Sequence, residues 1–284
     1  MFLKLFSTLP LSLVQFIGIL FGSFLFIFPT RLKSTTISNL KLCFPKKNKG
    51  ELNNLAKLSL IETSKTFFES GKCWKYYPSR GVEKILHIKG VRKLEKSIDK
   101  SKGVILFAPH LGNIEIIINF LAKNFSCTIP YSEVKISHAE EIIKNARRSM
   151  GANMVQTSVS GLRSIFKSLR EGGLVTIASD QVPSHAGGGV ISNFFGVPAL
   201  TMSLVVNLAK KTACPCHSVS CVRKKRGEGF TIYFSDPIEN FNSSNLQRGV
   251  DLMNIELEKC IMRAPEQYSW EYKRFKHSVF KNPY

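Results

Sequence analysis

The stretch Gly103-Val104-Ile105-Leu106-Phe107-Ala108-Pro109-His110-Leu111-Gly112-Asn113-Ile114-Glu115-Ile116-Ile117 decides the fold. Its first half is a short, uninterrupted apolar run, which is how a strand buried on both faces reads. Pro109 ends that run. Asn113 is a good N-cap, and the largely apolar segment from Ile114 to Lys123 is long enough for a helix. A buried strand followed at once by a helix is the repeating step of an α/β sheet covered on both faces.

The same stretch carries the candidate chemistry. Along one regular helix five residues turn by about 140°, so His110 and Glu115 cannot cooperate within one helix. If His110 sits on the turn after the strand and Glu115 in the first helical turn, the chain can fold the imidazole back over the carboxylate. The helix N-terminus would keep Glu115 ionised, and Glu115 could hold one imidazole N–H so that the other nitrogen is free as a base. Unpaired amide N–H groups nearby offer a place for a developing oxyanion. A capping histidine and a surface glutamate are the plainer alternative, and spacing alone favours it.

Outward from this unit, strand-like and helix-like segments alternate. Lys84–Lys89 is strand-like and Val91–Asp99 helix-like; after the central unit come strand Ser126–Pro130, helix Ser137–Met150, strand Ala152–Gln156, helix Ser160–Glu171 and strand Leu174–Ser179. Helix Ala199–Lys211, strands Ala213–Arg223 and Phe230–Phe234, and helix Leu246–Arg263 complete the pattern. This predicts an α/β fold with a mixed, largely parallel central sheet flanked by helices. Ligands on such sheets gather beyond the strands' C-terminal ends, where both His110 and Asp180 fall. Gly187-Gly188-Gly189 lies between Asp180-Gln181 and Asn193-Phe194-Phe195-Gly196, the place for a mobile substrate loop, though a surface turn is equally compatible.

The N-terminal segment is different. Leu9 to Phe28 is almost continuously apolar and about as long as a bilayer is thick, with Lys4 before it and Arg31 and Lys33 after. No small-residue cleavage site follows, so residues 1–30 read as a retained membrane anchor helix and residues 31–284 as the catalytic domain. The basic excess after the anchor places that domain on the cytosolic side. Gly18 and Gly22 have the small-xxx-small spacing of a helix-packing face. Glu51 to Tyr77 reads as a long helix ending in the aromatic residues Trp74, Tyr76 and Tyr77.

Composition narrows the partners. With 40 Lys+Arg against 20 Asp+Glu the chain carries a formal charge of +20, which calls for an anionic partner. No RNA-binding aromatic signature or zinc-finger spacing is present, so nucleic acid is not expected. Seven cysteines in 284 residues imply no disulfide framework. Cys214, Cys216, His217 and Cys221 lack the two-residue knuckle of a zinc site, and no metal is expected. No G-x-S-x-G elbow points to a serine hydrolase.

Six segments, in order, carry a resemblance. They are Asn39-Leu40-x-x-Cys43-Phe44-Pro45; His110-x-x-x-x-Glu115; Arg147 with Gly151; Ser179-Asp180-Gln181; Asn193-Phe194-Phe195-Gly196-x-x-Ala199-x-Thr201; and Pro265-Glu266-Gln267-Tyr268-x-Trp270-x-Tyr272-Lys273-Arg274-Phe275-Lys276. Together they resemble the late acyltransferases of lipid A biosynthesis, the lauroyl and myristoyl transferases, within the glycerolipid-type acyltransferases. Tyr272 departs from that family, which often has a histidine there, and the tail around it reads as structural.

The resemblance implies a glycerolipid-acyltransferase-like fold. It also implies transfer of a fatty acyl chain from an acyl carrier protein, or coenzyme A, to a hydroxyl of a lipid A precursor at the bacterial inner membrane, without a further cofactor. His110 is similar to the family's general base and Glu115 to its orienting carboxylate. Arg147, Asp180, Gln181, Phe195, Gly196 and Thr201 become candidate substrate-binding residues, although Gln181, Phe195 and Thr201 also suit packing or loop shaping. The anionic lipid acceptor, the acidic carrier and the membrane are the implied partners. Another lipid acceptor (a phospholipid, an aminolipid or a glycosylated phosphoinositide) and a non-catalytic basic membrane scaffold are the alternatives.

Overall fold

The computed structural model describes residues 2–76, 86–100, 103–131, 138–183, 188–241, 245–277 and 283–284. Its helices are α1 (Phe2–Thr8), α2 (Leu11–Ile27), α3 (Arg31–Cys43), α4 (Lys49–Gly71), α5 (Val91–Lys100), α6 (Ile114–Asn124), α7 (His138–Ser149), α8 (Val159–Arg170), α9 (Leu204–Thr212) and α10 (Leu246–Ile261). The strands are β1 (Leu86–Lys89), β2 (Val104–Ala108), β3 (Cys127–Tyr131), β4 (Asn153–Gln156), β5 (Leu174–Ala178), β6 (Gly189–Phe194), β7 (Val197–Met202), β8 (Cys216–Arg223) and β9 (Phe230–Phe234). Tyr77, the first two residues of the Lys84–Lys89 segment (Lys84 and Ile85), Ser137 and Gly187 lie outside the described residues.

Seven strands form one sheet in the order β1-β9-β8-β2-β5-β3-β4. Among the described residues its neighbours are parallel except β8 and β9, which the short Lys224–Gly229 connection forces to run antiparallel. Every residue of β2 is buried. Because side chains alternate along a strand, Ile105 and Phe107 enter one core layer and Val104, Leu106 and Ala108 the other. The first layer meets Ile165 and Leu169 of α8, Val205 and Leu208 of α9 and Met253 and Leu257 of α10. The second meets Leu94 of α5 and Ile116, Ile117 and Leu121 of α6. The expected mixed, largely parallel sheet between helices is what the chain forms.

Two segments differ from expectation. Gly189–Phe194 and Val197–Met202, where no strand was expected, form a separate antiparallel hairpin, β6–β7. Its two turn residues, Phe195 (φ 50°) and Gly196 (φ 75°), both have positive φ, as a tight primed turn requires. Phe195 is an unusual residue there, and its ring packs against Phe44, Phe194 and Trp270. Residues 199–202 consequently belong to β7, and α9 starts only at Leu204.

The anchor is the second. Among the described residues no single helix is long and apolar enough to cross a membrane; α2 and α3 pass such a test only as a pair bent by 81°. α2 has 17 residues, about 26 Å, and Phe28-Pro29 ends it. It lies against α4 through Val14, Gln15, Gly18 and Gly22. A Cβ on Gly18 would stand 2.7 Å from Lys65 Cα, and one on Gly22 2.4 Å from Ile61 Cα, so both glycines serve backbone-to-backbone packing inside the chain. Phe16, Leu20, Phe24 and Ile27 are left exposed.

α4 starts at a full capping box: the Asn48 side chain accepts from Glu51 N–H at 3.0 Å and Glu51 Oε2 accepts from Asn48 N–H at 2.8 Å. α3 was not anticipated. Its buried Asn39 donates through Nδ2 to Trp270 O at 2.6 Å and Tyr272 O at 2.7 Å, tying it to the C-terminal tail.

Candidate active site

β2 and β5 are parallel neighbours with Ala108 opposite Ala178, and Ser179 N–H extends the ladder to Ala108 O at 3.0 Å. The residues two positions beyond each strand end therefore meet. They are His110 and Asp180. One Asp180 oxygen, Oδ2, accepts the His110 backbone N–H at 2.9 Å, while Oδ1 pairs with ring Nδ1 at 2.7 Å. An ionised carboxylate only accepts, so Nδ1 carries the hydrogen and Nε2 keeps its lone pair. Gln181 Nε2 stands 3.5 Å from that nitrogen, a loose contact that a substrate hydroxyl can displace.

The turn that presents His110 is fixed on all sides. Gly112 has φ 60°, and a Cβ there would lie 2.1 Å from Cys221 O, so only glycine fits. Gly112 N–H donates to Gln267 O at 2.9 Å, Thr66 Oγ1–H to Gly112 O at 2.8 Å and Ser269 N–H to His110 O at 3.1 Å. With Leu111 N–H given to Pro109 O at 2.8 Å, the amides of residues 110–112 are all engaged, and the expected oxyanion site is not found on this turn.

The expectation that Glu115 holds the imidazole is not met by this geometry; Asp180 occupies that place. Glu115, in the first turn of α6, gives both carboxylate oxygens to the Arg147 fork on α7, with Nε–H donating at 3.1 Å and Nη2–H making a shorter bond. The reason is the turn at Gly112. It carries His110 back towards the end of β5 while Glu115 follows the helix towards α7.

Electrostatics follow from these contacts. Burial alone would lower the His110 pKa, but the charge and hydrogen bond of Asp180, with a further contribution from Glu271, outweigh it and the ring's opposing neighbour Arg147, so the value is raised. For Asp180 burial works upwards, and His110 overcomes it, holding the carboxyl below its ordinary value.

His110, Asp180, Gln181, Ser269, Glu271 and Tyr272 line a cavity of about 290 Å³. The imidazole is partly open to it, with 30% of its side chain exposed against 3% for Asp180. Arg147 and Glu115 stand outside this lining. Phe195 and Gly196 form the hairpin turn, and Thr201 is buried beneath it, accepting from Arg274 Nη2–H at 2.6 Å and Asn254 Nδ2–H at 3.2 Å. Those three residues shape the hairpin rather than the cavity.

Sequence reading missed Ser269 and Glu271. The only hint was Tyr272, whose hydroxyl accepts Val182 N–H at 3.0 Å and so latches the strand-end loop carrying Asp180 and Gln181. His217, a weak candidate for a metal ligand in the sequence, contacts Ser235 O and Ser97 Oγ at 2.9 Å each through its two ring nitrogens.

Beneath the site lies a charged network. Arg223 and Glu69, both with 1% side-chain exposure, pair at 2.7 Å, and Arg223 Nη1–H also reaches Glu62 at 2.6 Å. Glu69 accepts besides from Gln15 Nε2–H of α2 at 2.9 Å and from Asn113 Nδ2–H, the cap of α6, at 2.8 Å.

A histidine held by a buried carboxylate at the C-terminal end of parallel strands, facing a cavity, is the equipment of an enzyme that removes a proton from its substrate. The bacterial lipid A biosynthesis acyltransferase family matches residues 1–277, and the chain belongs to that family. It is similar to the lipid A biosynthesis palmitoleoyltransferase of Escherichia coli K12, with 25% identity over 96% of this chain and 88% of that one. The lipid A biosynthesis lauroyltransferase of the same organism is 23% identical over 94% and 87%, and a Shigella flexneri lipid A biosynthesis acyltransferase is 25% identical over 96% and 88%. The chain is therefore an acyltransferase.

Proposed function

We propose that this enzyme transfers a fatty acyl group from an acyl carrier protein thioester to a hydroxyl of a lipid A precursor, working at the cytosolic face of the bacterial inner membrane. The observation that carries the reading is the Asp180–His110 pair, which leaves Nε2 as a base at the cavity. A thioester is already activated, so an alcohol needs a positioned base, which contributes about 10²–10⁴-fold. His110 Nε2 takes the hydroxyl proton as the oxygen attacks the carbonyl carbon. The carbon–sulfur bond then breaks, and the imidazolium returns the proton to the leaving thiolate. Gln181 supplies a neutral amide donor in the same cavity for the carbonyl oxygen.

Two surface features support the partners. A formal charge of +20 suits both a phosphorylated lipid and an acidic carrier protein. The exposed apolar side of α2, with Phe16, Leu20 and Phe24, suits a helix lying in the lipid interface with its other side packed on the protein.

The test offers the purified enzyme a lipid A precursor, a phospholipid and an aminolipid, each with acyl carrier protein or coenzyme A thioesters, and weighs the products by mass spectrometry. The expected product is the lipid A precursor heavier by one acyl chain, formed from the carrier protein thioester and lost in His110→Ala with folding unchanged. Transfer undiminished in that variant would remove His110 from the chemistry, and transfer to another lipid alone would reassign the acceptor.

A further inference from the structure

The tail that closes the cavity brings a second carboxyl group to His110. Trp270, fully buried, is anchored by Nε1–H donating to Pro265 O at 2.7 Å, and the carbonyls of Trp270 and Tyr272 are both held by Asn39 Nδ2. The backbone on either side of Glu271 is thus fixed, and its side chain lines the cavity with His110 and Asp180. Thr63 Oγ1–H donates to Glu271 Oε2 at 3.1 Å, and the Ser269 side chain hydrogen-bonds the same carboxyl group.

The groups that act on the ring come from three places: the loop after β5, the C-terminal tail and α7. Asp180, after β5, pairs with Nδ1; Glu271, on the tail, acts from the cavity; Arg147, on α7, opposes both; and the neutral amide of Gln181 touches Nε2. Tyr268, Tyr272 and Arg274 each interact with Asp180.

We propose that Glu271 is a positioning residue for the general base: from the cavity side its carboxylate stabilises the imidazolium that His110 becomes while it carries the acceptor's proton. The assignment rests on the reading of His110 as the base. The ring is charged from the moment Nε2 takes the hydroxyl proton until it delivers that proton to the thiolate, and an anion on the cavity side favours the first of these transfers by stabilising the charged ring. Burial raises the Glu271 carboxyl above its ordinary value, while its hydrogen bonds and the His110 charge pull the other way and favour the ionised form.

The experiment measures carbethoxylation of His110 by diethyl pyrocarbonate as a function of pH, on the full chain without substrate, by peptide mass spectrometry. Only the neutral ring reacts, so the midpoint reports its protonation. In Glu271→Gln, whose side chain still accepts from Thr63, the midpoint is expected at lower pH than in the parent, and Glu271→Asp should return it towards the parent. In turnover, kcat of Glu271→Gln should fall roughly fivefold with KM little changed and the acid limb displaced in the same direction. If Glu271→Gln does not fold, Thr63→Val, which removes one of the donors that favour the ionised carboxyl group, must lower the midpoint instead. An unchanged midpoint in the folded variant overturns the assignment. Because the modification needs no acyl donor, a parent enzyme that fails to transfer acyl groups would sink the proposed reaction and leave this result standing.

Discussion

Asp180 performs two tasks with one carboxylate, fixing the His110 backbone through Oδ2 and the ring through Oδ1. Asp180→Asn keeps the shape but not the charge, and an amide can present its NH₂ to Nδ1 and invert the tautomer. The expected loss in kcat is about 10²–10⁴-fold with near-parental folding, measured by steady-state transfer. The pH dependence follows from the two shifts. Catalysis needs a neutral ring, so with the His110 pKa raised the acid limb of kcat/KM lies above the ordinary imidazole value of about 6.5, and the variant moves it down. For stability, the raised histidine contributes fully below its unfolded value and loses that contribution as pH rises through its folded value. The depressed aspartate contributes above about 3.9 and loses it as pH falls through its own folded value. The parent's advantage over the variant is therefore widest between the two unfolded values, about pH 3.9 to 6.5. Both residues could be placed at strand ends from sequence, but their pairing could not. It depends on β2 and β5 being neighbours, which no local pattern encodes, whereas Glu115 is near His110 only along the chain.

α2 shows why an apolar run is ambiguous at the level of the element. Hydropathy records that a side chain avoids water and is silent on whether lipid or protein replaces it. The glycine spacing was a sound signal of close packing, yet its partner is α4 of the same chain. The two sides of the helix should separate experimentally. Gly22→Leu must push into the backbone of Ile61 and is expected to cost about 1–3 kcal/mol, read as a lower thermal midpoint. Phe16→Ser and Leu20→Ser, on the exposed side, should leave stability within about 0.5 kcal/mol but weaken partition onto anionic vesicles. A vesicle affinity unmoved by both serine substitutions would remove α2 from the lipid interface. The hairpin β6–β7 went unread for a related reason, since a phenylalanine at positive φ is set by the rings of Phe44 and Trp270, which are distant in sequence.

Across the whole molecule, the alternation of strands and helices was legible because burial on both faces leaves continuous apolar runs, while the network joining them was not. Glu62, Glu69 and Arg223 look like ordinary charges on amphipathic segments. Folding brings them together so that α2, α4, β8 and the cap of α6 share one buried carboxylate, which accepts from Gln15, from Asn113 and, twice, from Arg223. Removing one member of such a pair strands the other. Glu69→Ala leaves the Arg223 guanidinium with Glu62 and the Thr66 hydroxyl, and deprives Asn113 of the carboxylate that steadies the start of α6. The expected cost is about 3–5 kcal/mol in urea unfolding, well beyond that of Gly22→Leu. Replacing both charges by apolar side chains, as in Glu69→Leu with Arg223→Met, should recover part of it, because the desolvation of two ions disappears with their attraction. Activity distinguishes the network's second effect. If it also holds the His110 turn through Asn113, the double variant regains stability without regaining kcat; recovery of both together would confine the network to holding the fold.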